Sequence, residues 1–332
     1  MIRSLVTFLL LPTVFFLTYG QAVQELEHKL LDKDLTVENK IELLNLLSRE
    51  YVFINSAIAL DYANKALKLS VQTNNKIGIA YAYRNISGVY TNNEIYYLGM
   101  EYSQRSQTIF EESGDSLGIA NSYITLGFIY RRLQKTELEI AKYKKAFEAF
   151  SALNIPERIA VSAHNLGESY MINNEFEQSK ALTQIAIQIT DSIKNFSVLS
   201  ACYKVMGIIN FKQQQYDTAE MYFLKVLELS ASLGKNSQKT ATIESLVYLA
   251  DIYDIKGKDK MKIGKLEEAA EFCLKYSLSS YLPNIYLNLI QHYTSENNTR
   301  AIQKFVVEYR TISKIINQKE LKDKSDLVNS LV

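Results

Sequence analysis

The chain has 332 residues, 37 basic and 36 acidic, a formal net charge of +1 and 47% hydrophobic residues. That balance leaves no charge excess for a nucleic-acid surface. Three His and two Cys stand far apart and offer no metal-ligand spacing such as H-E-x-x-H.

Met1-Ile2-Arg3 is a short basic start, Leu5 to Leu17 is apolar apart from Thr7, Pro12 and Thr13, and small residues follow. Residues 1–22 therefore read as a secretory signal peptide cut after Gly20 or Ala22. An apolar run of about 13 residues is short of the roughly 20 that span a bilayer, and no later stretch is longer. The mature chain is expected to be periplasmic or secreted, with no stable membrane span. Losing Arg3 leaves 36 basic and 36 acidic residues.

Residues 23–35 contain a short segment, Val23 to Leu31, expected to be a capping helix. From residue 36 to 316 one phrase recurs: Leu47-Ser48-x-x-Tyr51, Ile86-Ser87-x-x-Tyr90, Leu126-Gly127-x-x-Tyr130, Leu166-Gly167-x-x-Tyr170, Met206-Gly207, Leu249-Ala250-x-x-Tyr253 and Leu289-Ile290-x-x-Tyr293. The interval is 40 residues over most of the series, with a slip of three before Leu249. A period of this length is the mark of a solenoid. Inside the third unit, Ile140, Tyr143, Ala146, Phe147 and Phe150 follow at helical spacing after Leu133-Gln134-Lys135, so each unit is a helical hairpin.

The residue after the Leu is small (Ser48, Ser87, Gly127, Gly167, Gly207, Ala250). Glycine inside a helix costs about 1 kcal/mol against alanine, so its recurrence needs a close helix crossing. The Tyr is expected to pair with a small residue late in the second helix: Ala66, Ser106, Ala146, Ala186 or Ala269. Pro156 and Pro283 mark starts of first helices; Asn92-Asn93 and Asn173-Asn174 mark hairpin turns, and Gly114-Asp115 and Gly234-Lys235 turns between units. The slip falls at Gly234 to Lys239, where a bend is expected. Residues 317–332 form a polar tail, and the whole repeat region is read as one continuous domain. Cys202 and Cys273 are read as ordinary buried thiols, because a repeat framework needs no disulfide.

Leu-Gly-x-x-Tyr followed about sixteen residues later by Ala resembles the tetratricopeptide repeat (TPR), in a variant whose unit is 40 residues rather than the family's usual 34. The resemblance implies an all-α, right-handed superhelical solenoid of about seven helical hairpins. The fifth unit departs from it with Asn210 at the Tyr position and Phe211 beside it, and the seventh with Ile290 at the small position. Glu25-Leu26-x-x-Lys29-Leu30, Leu43-Leu44-x-x-Leu47 and Ala59-Leu60-x-Tyr62-Ala63-x-Lys65-Ala66-Leu67 resemble the exported sensor portions of TPR signalling proteins in Bacteroidetes-type bacteria. Here the sequence ends at Val332, so that resemblance implies either a separate membrane-protein partner or a truncated relative.

The family's pattern implies a concave groove lined by Tyr81, Arg84, Asn121, Ile124, Phe128, Arg131, Arg132, His164, Glu168, Met171, Lys204 and Lys212, turning acidic at Glu244, Asp251 and Asp254. Apolar side chains beside guanidinium groups suit a protein or peptide segment carrying a carboxylate. Asn85 fits one position of the co-chaperone carboxylate clamp, but Gly88 stands where a second Asn is needed. His28, His164 and His292 are scattered, and neither a phosphate loop nor a G-x-S-x-G elbow occurs. The expected class is a non-catalytic adaptor or sensor without cofactors. A structural scaffold in envelope assembly or secretion is the alternative.

Overall fold

The computed structural model describes residues 15–331 apart from 53, 235 and 236. Its helices are α1 (Phe15–Leu30), α2 (Val37–Tyr51), α3 (Ser56–Gln72), α4 (Lys76–Asn92), α5 (Tyr96–Ser113), α6 (Ser116–Arg132), α7 (Thr136–Ala152) and α8 (Pro156–Ile172). They continue as α9 (Phe176–Ser192), α10 (Phe196–Lys212), α11 (Tyr216–Leu233), α12 (Lys239–Ile255), α13 (Asp259–Tyr276), α14 (Leu282–Ser295) and α15 (Thr299–Leu331). The described chain is all-α, with seven hairpins from α2/α3 to α14/α15 behind α1. Residues 1–14 of the expected signal peptide lie outside the described residues; the rest of it falls in α1. The segment read as a polar tail continues α15 to Leu331.

From α3 onward the helices α3–α14 are followed by a residue of positive φ, at intervals of twenty residues from Asn74, Glu94, Gly114, Gln134, Asn154, Asn174, Lys194 and Gln214 to Gly234, and again from Gly257 to Ser277 and Asn297. The turn within a repeat and the turn between repeats are the same object. Lys135 donates its amide to the Tyr130 carbonyl at 2.9 Å, and Asp115 donates to the Phe110 carbonyl at 3.0 Å, the six-to-one bond of a Schellman end. Sequence reading assigned asparagine to one kind of turn and glycine to the other. Both residues, however, solve the same problem of positive φ. Non-glycine residues there carry strain of about 1 kcal/mol. Gln214 (φ 61°) is exposed, so Gln214→Gly should raise stability by about 0.5–1 kcal/mol in urea unfolding; a loss would show that its side chain has a role in the turn.

Starts are fixed as regularly. Asn75 and Asp115 accept the amides of Gly78 and Gly118 at 2.8 and 2.9 Å, Asn195 accepts that of Val198 at 3.2 Å, and Pro156 opens α8 where no amide is needed. The expected bend at Gly234 to Lys239 falls partly on 235 and 236, outside the described residues.

By internal packing the chain divides into two units, one of residues up to Lys135 together with Asp326 onward and the other from Thr136 to Ser325. In the first, Ala59, Leu60, Ala63, Ile86, Val89 and Tyr90 form a core between α2–α5. Glu27 of α1 accepts from the hydroxyls of Tyr51 and Tyr62 at 2.8 and 3.0 Å, and the two rings stack at 5.7 Å. This contact and buried Val23 hold α1 against the first hairpin. In the second unit, Phe223 is fully buried and stacks on Tyr248 at 5.1 Å, with Phe211 edge-on to Tyr248 at the same distance. Asn210, where the Tyr was missing, bonds back to the Met206 carbonyl at 2.7 Å, leaving Phe211 to supply the ring.

The repeated Leu is buried in every hairpin, and the small residue after it sits at the crossing. Ser87 donates to the Gly99 carbonyl and Ser179 to the Gly167 carbonyl, both at 2.6 Å. The two repeats exchange which helix carries the serine and which the glycine. One expectation is corrected here. The late small residue of the second helix does not pair with the Tyr of its own repeat. Ala66 packs with Leu44 and with Ala82 of the next hairpin, and Ala186 with Ala163 and Cys202 of the next. It is small because three helices meet there, while the Tyr rings find each other: Tyr90 stacks on Tyr102 at 5.6 Å.

Candidate functional site

In the first unit the inner face is built from α2, α4 and α6. A cleft of about 500 Å³ opens between α2 and α4, lined among others by Glu38, Ile41, Glu42, Asn45, Arg49, Tyr81, Arg84 and Asn85. The Arg84 guanidinium lies over the Tyr81 ring at 5.0 Å, a favourable cation–π distance, and Tyr81 meets Phe110 edge-on at 5.1 Å. Arg49 is held by Glu50 at 3.0 Å. On α6, Arg132 stacks on the exposed ring of Phe128 at 5.1 Å. Asn121 turns back to the Leu117 carbonyl of its own helix at 2.9 Å. The expected trio Arg84, Arg131 and Arg132 is thus divided: Arg84 lines the α2/α4 cleft, whose lining includes no α6 residue. Ile124 and Arg131 are half-buried on α6.

In the second unit the corresponding faces are on α8, α10 and α12. Lys204 lies 3.0 Å from Glu168 and 3.0 Å from Glu244, one carboxylate from each flanking helix. The Lys204 side chain is only 12% exposed. Burial by itself would push the ammonium pKa down; the two carboxylates outweigh it and hold the group above the ordinary lysine range. His164 sits beside this triad, its Nδ1 3.8 Å from the Cys202 sulfur. Met171 belongs to the core with Val205, Ile208 and Ile209 and is not available to a groove. Lys212 reaches the turn between α8 and α9 in the preceding hairpin, donating to Asn174 Oδ1 at 3.1 Å. Two of the three acidic residues beyond, Asp251 and Asp254, line a second cleft with Lys262, His292 and Glu296; Lys262 pairs with Asp254 at 2.7 Å.

No family model matches the chain, and no curated protein matches it in sequence. Solved structures do. The apo form of RapI aligns with a TM-score of 0.61 at 16% identity over 91% of this chain and 82% of that one. NprR in complex with its cognate peptide NprX aligns at 0.60 and 15% identity over 88% and 85%. A signal-transduction ATPase with a tetratricopeptide repeat sensor from Pyrococcus horikoshii aligns at 0.60 and 15% over 79% of this chain and 41% of that one. The fold is of the tetratricopeptide-repeat type. At such identities the likeness carries the fold and no more.

On this TPR-type frame, the groove residues read from the sequence omitted the first repeat, whose Glu42, Asn45 and Arg49 line the α2/α4 cleft. Glu42, Asn45 and Arg49 precede Tyr81, Arg84 and Gly88 by 39 residues, one short of the usual period. A register drawn from Leu47 to Ile86 finds them. Among the described residues no group of three or more His, Cys, Asp or Glu is placed to hold a metal ion, and no helix is long and apolar enough to cross a membrane.

The two cysteines are free and buried in different cores. Burial, then the Glu168 carboxylate, pushes the Cys202 thiol up to about 12 against the opposing pull of Lys204; burial alone does the same for Cys273. Since only the thiolate reacts, neither should label with maleimide at neutral pH until the protein unfolds. Rapid native labelling would contradict this burial.

Proposed function

We propose that this chain is an exported, non-catalytic TPR-type module that binds a protein or peptide segment along the inner faces of its first helices. It acts as an adaptor or sensor component of an envelope signalling or regulatory system, with its output supplied through a membrane protein. The observation that carries the binding role is the cleft between α2 and α4, where apolar Ile41 and Ile77, the Tyr81 ring and several hydrogen-bonding groups converge, the mixture that peptide recognition requires. NprR, which shares the fold, is known with its cognate peptide bound. The first unit presents Tyr81, Arg84, Phe128, Arg131 and Arg132 to such a segment, and the second unit, taken by itself, presents His164, Glu168 and Lys204.

The leader supports export, and cleavage after Gly20 or Ala22 would retain Val23 and Glu27, the residues that seat α1. Affinity capture from the exported fraction tests both parts, with Arg131→Glu/Arg132→Glu as control. One dominant partner lost in the control, captured by a protein whose amino terminus begins at Gln21 or Val23, is the expected result. Many partners retained equally would favour the scaffold, and an uncleaved protein confined to the cytoplasm would overturn the export reading.

A further inference from the structure

Glycine inside a helix is unfavourable against alanine, so its presence calls for a reason. Gly78, Gly99, Gly118, Gly167 and Gly207 have one, since a β-carbon at any of them would run into the facing helix. Gly88, inside α4, has none: its would-be β-carbon meets nothing within 4 Å. Gly264 is alike, but on an exposed stretch of α13.

The gap at Gly88 has a neighbour that uses it. Phe128 stands at the same register one repeat on, on α6, and its ring is 37% exposed. What lies over that ring is the Arg132 guanidinium, 5.1 Å from its centroid, and no carboxylate among the described residues pairs with Arg132. A planar guanidinium laid on a ring is held in place with its N–H edge turned outward. The charge of the face has one sign: α4 and α6 carry Lys76, Arg84, Arg131 and Arg132 and no acidic residue. Arginines in a helix's last turn are favoured whatever binds there, so charge alone decides nothing; the uncovered ring and the open space beside it do. On α2 the register of Gly88 is held by Arg49, paired with Glu50, and Glu42 stands two turns back.

We propose that the inner face of α4 and α6 is the subsite for an acidic residue of the bound segment beside a bulky apolar one, an assignment that rests on the peptide-binding reading above. The carboxylate accepts from the N–H edge of Arg132, and the apolar side chain lies against Phe128 in the space that Gly88 leaves open. Arg132 selects charge and Gly88 selects size.

The test uses short probes and needs no captured partner. Purified protein is titrated with N-acetyl-glutamyl-phenylalaninamide, its glutamine and lysine counterparts and N-acetyl-glutamyl-glycinamide, following the Gly88 amide and Arg132 Nε resonances. The first probe should shift both saturably, with the glutamine and glycine probes each at least about tenfold weaker. Arg132→Gln, read at Gly88, should weaken the first probe about tenfold and leave the glutamine probe unchanged. Gly88→Leu, read at Arg132 Nε, should weaken it by more than about tenfold with a melting temperature no lower than wild type, because leucine is the better helix former. The assignment is overturned if the glutamine probe binds as well as the first, if the lysine probe binds better, if Gly88→Leu leaves the affinity intact, or if no probe shifts either resonance. Affinity capture separates this from the wider reading. A partner held equally by Gly88→Leu and wild type removes the subsite and leaves a peptide-binding module, whereas probe binding with no captured partner keeps the subsite and removes the peptide reading.

Discussion

Lys204→Met is expected to destabilise the protein by about 3 kcal/mol or more, because it leaves Glu168 and Glu244 facing each other across a mostly buried gap. The loss comes from the stranded carboxylates more than from the missing attraction. Neutralising all three, as Glu168→Gln/Lys204→Met/Glu244→Gln, should therefore recover most of the stability. The raised Lys204 pKa sets the sign of the pH effect. The stabilisation is complete below the ordinary lysine value of about 10.4 and fades only as pH rises through the higher folded value, so this contribution should be flat across neutral pH. Urea midpoints of the single and triple variants decide the matter. A single variant within about 0.5 kcal/mol of wild type would mean that the triad is solvated in solution.

Gly167→Leu should cost a similar amount. A β-carbon at Gly167 would stand 2.7 Å from Thr183 Oγ1 and 3.3 Å from the Ser179 carbonyl, both in a fully buried crossing. The two helices must separate, which also strains the 2.6 Å bond from Ser179 to Gly167. Overpacking of this kind costs about 1–3 kcal/mol and occasionally more. Gly88 is the control, a helical glycine with nothing within 4 Å of its would-be β-carbon. Gly88→Ala should stabilise by about 0.5–1 kcal/mol from helix propensity. Equal melting of Gly167→Leu and wild type would show that the crossing is elsewhere.

The hairpins, their number and the tight crossing were legible because each leaves a periodic trace: a Leu that is always buried, a small residue beside it and a turn former at a fixed offset. What escaped has no such trace. The Glu168–Lys204–Glu244 triad draws one residue from each of three repeats, and its members differ in type, so periodicity cannot flag it. Ala66 and Ala186 were assigned to the wrong neighbour because a small residue records only that something is close. Met171 and Asn121 were placed in the groove by their register, but one is drawn into the core and the other folds onto its own helix. At the cleft, the basic residues were visible in sequence, while the stacking of Arg84 on Tyr81 and the bonds from Asn85 to Asn45 depend on side-chain geometry.

The identical turns also bear on how such a chain changes length over generations. Asn75 and Asp115 grip the following helix in the same way, each with a glycine three residues on. A recombination joining Asn75 to Ser116 would remove α4 and α5 yet leave a properly started helix behind it. Loss of twenty residues would pass the backbone's own test at most turns, but would set two second helices side by side without the Leu-bearing first helix that each of them packs against. The inherited unit is therefore the pair, even though the geometric unit is the single helix, and relatives of this protein should differ in length by multiples of forty.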